Sequence, residues 1–100
     1  MKTTRVVPSS DAMFRLLDDE AVILDLASAT YFGLNPVGAR FWGLVSENPS
    51  FPAAVTALLS EFDVDETTLL TDLEALVAEL SRAGLVRVDV DHADEAHSNN

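Results

Sequence analysis

Few side chains in this 100-residue sequence are of a type that does acid–base, nucleophilic or metal chemistry. His92 and His97 stand near Asp91, Asp94 and Glu95, a donor set that could hold a cation. Their neighbours are alanines and a Ser98-Asn99-Asn100 ending, which supply no scaffold to fix ligand directions, so the expectation is a solvated tail. Asp18, Asp19 and Glu20 are adjacent carboxylates, but acids of this kind are also what a tight turn between strands favours. Asp72, Glu74 and Glu79 fall off an apolar helical stripe and read as a solvated face. Cysteine is absent, which removes disulfides, thiolate ligands and a thiol nucleophile together. The expectation is a non-enzyme with no catalytic residue, no metal and no cofactor.

Binding chemistry is the alternative, and Tyr31-Phe32-Gly33-Leu34 is where the sequence suggests it. Successive strand residues point to opposite faces, so if Phe32 and Leu34 complete the core with Val22 and Leu24, Tyr31 and Gly33 point away from it. A third strand in a meander is a sheet edge, and this one has no Lys or Pro to block another strand from docking. Gly33 also permits close approach of a second backbone.

The elements that must position this strand follow from periodicity and caps. Ala12–Leu17 and Ala21–Leu26 read as two antiparallel strands around the acidic turn, with Val22, Leu24 and Leu26 on the core face. Asn35-Pro36 is a helix start, an N-cap followed by proline at the first helical position. Val37, Phe41, Leu44 and Val45 give that helix one apolar face, and Asn48-Pro49 ends it. Ser50 caps a second helix striped by Val55, Leu58, Leu59 and Phe62. Asp65 caps a third, with Leu69, Leu73, Leu76, Val77 and Leu80 in helical period up to Ala83-Gly84. Leu70 lies on the flank of that stripe beside Val77 and widens the arc, while Leu76 is expected on the core side. Leu85–Val88 reads as a short final strand.

The expected fold class is α+β: winged helix-turn-helix-like, with a three-stranded antiparallel N-terminal sheet followed by three helices and a short C-terminal strand. Residues 1–11 are an N-terminal extension, 12–88 the domain and 89–100 an acidic flexible tail. On these patterns two readings of the third strand stand side by side. Either its edge and the Leu70–Val77 flank form an open site for an extended peptide, or Tyr31 packs under the tail and the flank is ordinary core.

The run Tyr31-Phe32-Gly33-Leu34-Asn35-Pro36-Val37-Gly38-Ala39-Arg40-Phe41-Trp42 resembles the pyrroloquinoline quinone synthesis protein D family, the PqqD-like precursor-peptide recognition elements. The similarity extends through Asp19–Asp25 before it, and after it through the Phe62–Asp65 link and the Leu80–Val86 ending. The Asn-Pro-Val-Gly-Ala-Arg-Phe-Trp form is most similar to the stand-alone members of lasso-peptide pathways. That resemblance implies a non-catalytic protein that binds the leader of a ribosomally made precursor peptide by strand addition to the third strand beside the third helix. The peptide-binding residues would be Thr30, Tyr31, Phe32, Gly33, Leu70, Leu73 and Val77. Its implied partners are the leader, a transglutaminase-like cysteine leader protease and an ATP-dependent lasso cyclase.

Seventeen acids against six Lys and Arg give a net charge of −11, the wrong sign for neutralising phosphates or anionic lipid. Neither nucleic acid nor a membrane is an expected partner. A winged-helix DNA-binding regulator is the alternative function, and a small structural subunit a third; against the regulator, the third helix offers one basic residue, Arg82. With no apolar run long enough for a signal peptide or a span, the expected protein is soluble, unprocessed and cytoplasmic.

Overall fold

A computed structural model describes residues 2–18 and 20–92. It contains β1 (Lys2–Pro8), β2 (Ala12–Leu17), β3 (Glu20–Asp25), β4 (Thr30–Leu34), α1 (Pro36–Glu47), α2 (Phe51–Glu61), α3 (Glu66–Arg82) and β5 (Val86–His92). The fold is α+β, with an antiparallel β2-β3-β4 sheet, three helices and a C-terminal strand, as expected. The third expected strand is β4.

The helix boundaries follow from local chemistry. Asn35, Ser50 and Asp65 each take an extended backbone, and each side-chain oxygen accepts the N–H three residues on, from Gly38, Ala53 and Thr68 respectively. These bonds satisfy donors that the first turn would otherwise leave orphaned. At the other end of α3, Gly84 takes φ +78°, a left-handed geometry that stops the helix at little cost only because glycine has no Cβ. Asp18, also left-handed, turns β2 into β3.

One strand was not legible in the sequence. Residues 2–8, read as an extension, form β1 and pair antiparallel with β5 in register from Lys2↔His92 to Pro8↔Val86. The final strand accordingly continues past Val88, through Asp89 to His92, so the tail reading fails for those residues; residues 93–100, with His97, lie outside the described residues. β1 is fastened to the helices as well: Val6 N–H donates to the Pro49 carbonyl at 2.8 Å, and the Val6 side chain is fully buried. Buried apolar groups cannot be removed from this position without loss of core.

The core lies where the helices meet the sheet, among Val6, Ile23, Phe41, Trp42, Val45, Leu58, Leu73 and Leu80. Phe41 and Phe51 pack edge to face with ring centres 6.0 Å apart, joining α1 to α2. On the outside of the same pair of helices the Arg40 guanidinium donates from Nε and Nη2 to the two Glu61 carboxylate oxygens at 2.8 and 2.9 Å. Those bonds hold the Glu61 carboxyl below its ordinary value and push Arg40 up.

Sheet parity differs from the expected one by a residue. Ile23 stands opposite both Phe14 and Phe32, so the helix-facing side carries Phe14, Ile23 and Phe32. Leu24 instead stands opposite Met13 and Tyr31 on the other face, and Leu26 is 58% exposed. Tyr31 does point away from the core, at 74% exposure, but as the partner of Leu24 rather than its opposite. A shift of one residue moves a whole strand's side chains between faces, and Ala21, Val22, Ile23 and Leu24 are all apolar, so alternation alone could not choose.

Candidate peptide-binding cleft

β4 is the last strand of its sheet, and its outer edge has no strand partner among the described residues. The strand is delivered by a tight loop from β3. The Asp25 carboxylate accepts the Ala27 N–H at 3.1 Å and the Ser28 hydroxyl at 2.8 Å, and Ala29 takes φ +61°. At its other end β4 runs directly into the Asn35 cap, so strand edge and α1 N-terminus are rigidly joined.

Between this edge and α3 lies a cleft of about 490 Å³. One wall is the backbone run Phe32–Asn35 with Val37 and Gly38 of α1; the other is α3, from Val64 just before it to Glu79. Leu69, Leu73 and Leu76 face the cleft as an apolar set. Thr68, Asp72, Ala75 and Glu79 form a second, exposed stripe along the same helix. Gly38 sits buried at the base, where an added Cβ would lie 3.4 Å from Leu76 Cδ2 and 3.2 Å from Asn35 Oδ1. Glycine there allows α1 and α3 to close the cleft floor.

Of the residues expected to form the site, Phe32, Gly33 and Leu73 line this cleft. Thr30 and Tyr31 precede it on β4; the Thr30 hydroxyl lies 2.7 Å from Ser28 Oγ in the loop. Leu70 and Val77 lie elsewhere. Both pack partly buried against the core, and Val77 lines a separate cavity of about 230 Å³ with Thr4 and Val6 of β1, Phe51 of α2, and Glu74 and Ala78. The cleft against β4 thus shares Phe32, Gly33 and Leu73 with the expected site, while Tyr31, Leu70 and Val77 do not line it. The third helix has two apolar flanks; β1 takes the Val77 side, while Leu76, expected in the core, opens onto β4. Asp72 and Glu79, read as a solvated face, stand on the cleft lip, and no periodicity signal distinguishes a lip from a free surface.

Among the described residues no group of three or more His, Asp or Glu could hold a metal ion, and no helix is long and apolar enough to cross a membrane. An open strand edge offers backbone donors and acceptors, and the apolar face of α3 offers side-chain pockets.

The profile of coenzyme PQQ synthesis protein D matches residues 20–86. No curated protein matches the chain. Among solved structures, TbiB1 in complex with the TbiA(beta) leader peptide is 34% identical with a TM-score of 0.72, covering 81% of this chain and 94% of that one. Lasso peptide synthetase B1 complexed with the leader peptide is 25% identical with a TM-score of 0.72, covering 83% and 98%. The family match runs from the first residue of β3 to the first of β5, so it takes in both walls of the cleft, and with it the chain belongs to the coenzyme PQQ synthesis protein D family.

Proposed function

We propose that this protein binds the leader of a ribosomally synthesised precursor peptide in the cleft between β4 and α3, and that the precursor is that of a lasso peptide. The observation that carries the reading is the open β4 edge facing an apolar helix face, in a chain similar to two proteins solved with leader peptides. An extended leader would add as a strand along Phe32–Leu34, with backbone hydrogen bonds giving sequence-tolerant affinity and alternate side chains entering the cleft over Leu73 and Leu76. Tyr31 and Thr30 would border the strand, and Leu70 and Val77 would act only through the packing of α3.

The protein's role is then presentation rather than catalysis. A transglutaminase-like cysteine protease on a separate chain would remove the held leader, and an ATP-dependent cyclase would close the core peptide. Holding the leader raises the effective concentration of the scissile bond at the protease without any reacting group here.

The test is a matched pair of substitutions on α3. Ala75→Tyr fills the cleft, whereas Ala78→Tyr opens onto the second cavity; both residues are exposed, so both variants should fold. With a fluorescein-labelled leader of the cognate precursor, Ala75→Tyr should weaken binding by about tenfold or more, the order expected when a central pocket is occupied. Ala78→Tyr should stay within about twofold, as expected for a substitution outside a binding site's core. Equal effects of the two, or wild-type binding by Ala75→Tyr, would remove the cleft from the account.

A further inference from the structure

The cleft that receives the peptide is charged along one side only. Thr68, Asp72, Ala75 and Glu79 recur at helical spacing and make its lip, and Leu69, Leu73 and Leu76 lie one step further round the helix. No basic residue lines the cleft. Neither carboxylate belongs to the Arg40–Glu61 or Arg87–Asp89 pair, and the chain as a whole carries −11. The groove is thus an apolar floor with anionic groups at two levels, and neither carboxylate makes a salt bridge among the described residues; Arg82, one turn beyond Glu79 on the same stripe, lies outside the cleft lining.

On the leader-binding reading, we infer that the strand entering this cleft carries a large apolar side chain with a lysine or arginine two residues away on the same face. The spacing argues for it. Asp72 and Glu79 are about 10 Å apart along the helix axis, with the Leu73 and Leu76 levels between them. Successive residues on one face of a strand are about 7 Å apart. An apolar residue seated over Leu73 and Leu76 is therefore about 4 Å along the axis from Asp72 and about 7 Å from Glu79, and on a strand running along the helix the next residue on its face comes level with Glu79 or, on the other side, about 3 Å beyond Asp72. A lysine or arginine there can lay its methylene stem on the apolar floor and set its charge at the lip. Burial of the lip by the peptide leaves an acid at that position facing an uncompensated like charge, so the device rejects acidic strands as much as it favours basic ones.

The probe is the synthetic leader of the cognate precursor, fluorescein-labelled, with each position replaced in turn by Lys, Gln and Glu. On the wild-type protein one position, two residues from the apolar residue that binding most requires, should prefer Lys over Glu by about tenfold or more. On Asp72→Asn/Glu79→Gln that preference should fall to about twofold, while Glu20→Gln/Glu74→Gln, with the same change in net charge away from the lip, should retain it. A preference that survives Asp72→Asn/Glu79→Gln, or that is lost equally in the control, overturns the inference and leaves leader binding standing. Absence of any Lys preference in a leader that binds does the same, whereas a leader that fails to bind the wild-type protein overturns both.

Discussion

Gly38→Ala and Gly43→Ala are the same chemical change on the same helix, with opposite expected outcomes. In an open helix interior the change stabilises by about 0.5–1 kcal/mol, because glycine loses more backbone freedom on folding than alanine. Gly43 meets that condition, since an added methyl there has nothing within 4 Å. At Gly38 the methyl would lie 3.2 Å from Asn35 Oδ1 and 3.4 Å from Leu34 Cδ2 and Leu76 Cδ2. The oxygen that must give way is the cap acceptor, bonded to the Gly38 N–H at 2.8 Å, and such a cap stabilises a helix by about 1 kcal/mol. Crowding a packed contact costs about 1–3 kcal/mol, more than the backbone gain returns. Gly38→Ala should therefore be destabilised by about 1 kcal/mol, leaving the two variants about 2 kcal/mol apart, or about 10 °C in Tm for a domain of this size. The assay is urea unfolding followed through Trp42, the single tryptophan, which is buried in the core. Equal stabilisation by both alanines would refute the tight junction of β4, α1 and α3 on which the cleft floor depends.

Three further outcomes follow from the same structure. Val6→Ala should cost about 2–3 kcal/mol in urea unfolding, from lost transfer energy and the cavity left, and a value near zero would show that β1 contributes nothing to the core. The Glu61 carboxyl is lowered by its hydrogen bonds to Arg40, so its stabilising contribution is full above the ordinary glutamate value of 4.5 and is lost as pH falls through the lowered one. Wild type should then lose its Tm advantage over Glu61→Gln only in that acid range, and a difference that also disappears between neutral pH and 4.5 would contradict the assignment. Incubated alone with its precursor, the purified protein should leave every peptide bond intact by mass spectrometry; cleavage abolished by one substitution in this chain would overturn the non-catalytic reading.

What could be read from the sequence was local. Asn35, Ser50 and Asp65 announce helix starts because a cap is a contact between residues three apart, and Gly84 announces an end for a comparable reason. Pairing of Lys2–Pro8 with Val86–His92 joins the two ends of the domain, and nothing within Lys-Thr-Thr-Arg-Val-Val-Pro specifies so distant a partner. The cavity that β1 forms with Val77 could not be anticipated without that strand, and the cleft against β4 is lined by Leu69, Leu73 and Leu76 rather than by Leu70 and Val77.

The β4 edge itself was legible, since alternation around Tyr31, Phe32 and Gly33 needs only one strand to be read. Its register was not, because Ala21–Leu24 is apolar on both faces. Nor could helical periodicity tell that Asp72 and Glu79 border a groove, as both sit on the polar arc like any solvated acid.

The most direct measurement of the central claim is a backbone amide NMR titration of the full chain with the unlabelled leader. The account predicts that Phe32, Gly33 and Leu34, together with the α3 residues Thr68, Asp72, Leu76 and Glu79, shift and that those amides of Phe32–Leu34 that point away from β3 become protected from exchange, while Glu74, Val77 and Ala78 move little. Saturation with perturbations centred on Thr4, Val77 and Ala78, and none on β4, would contradict it.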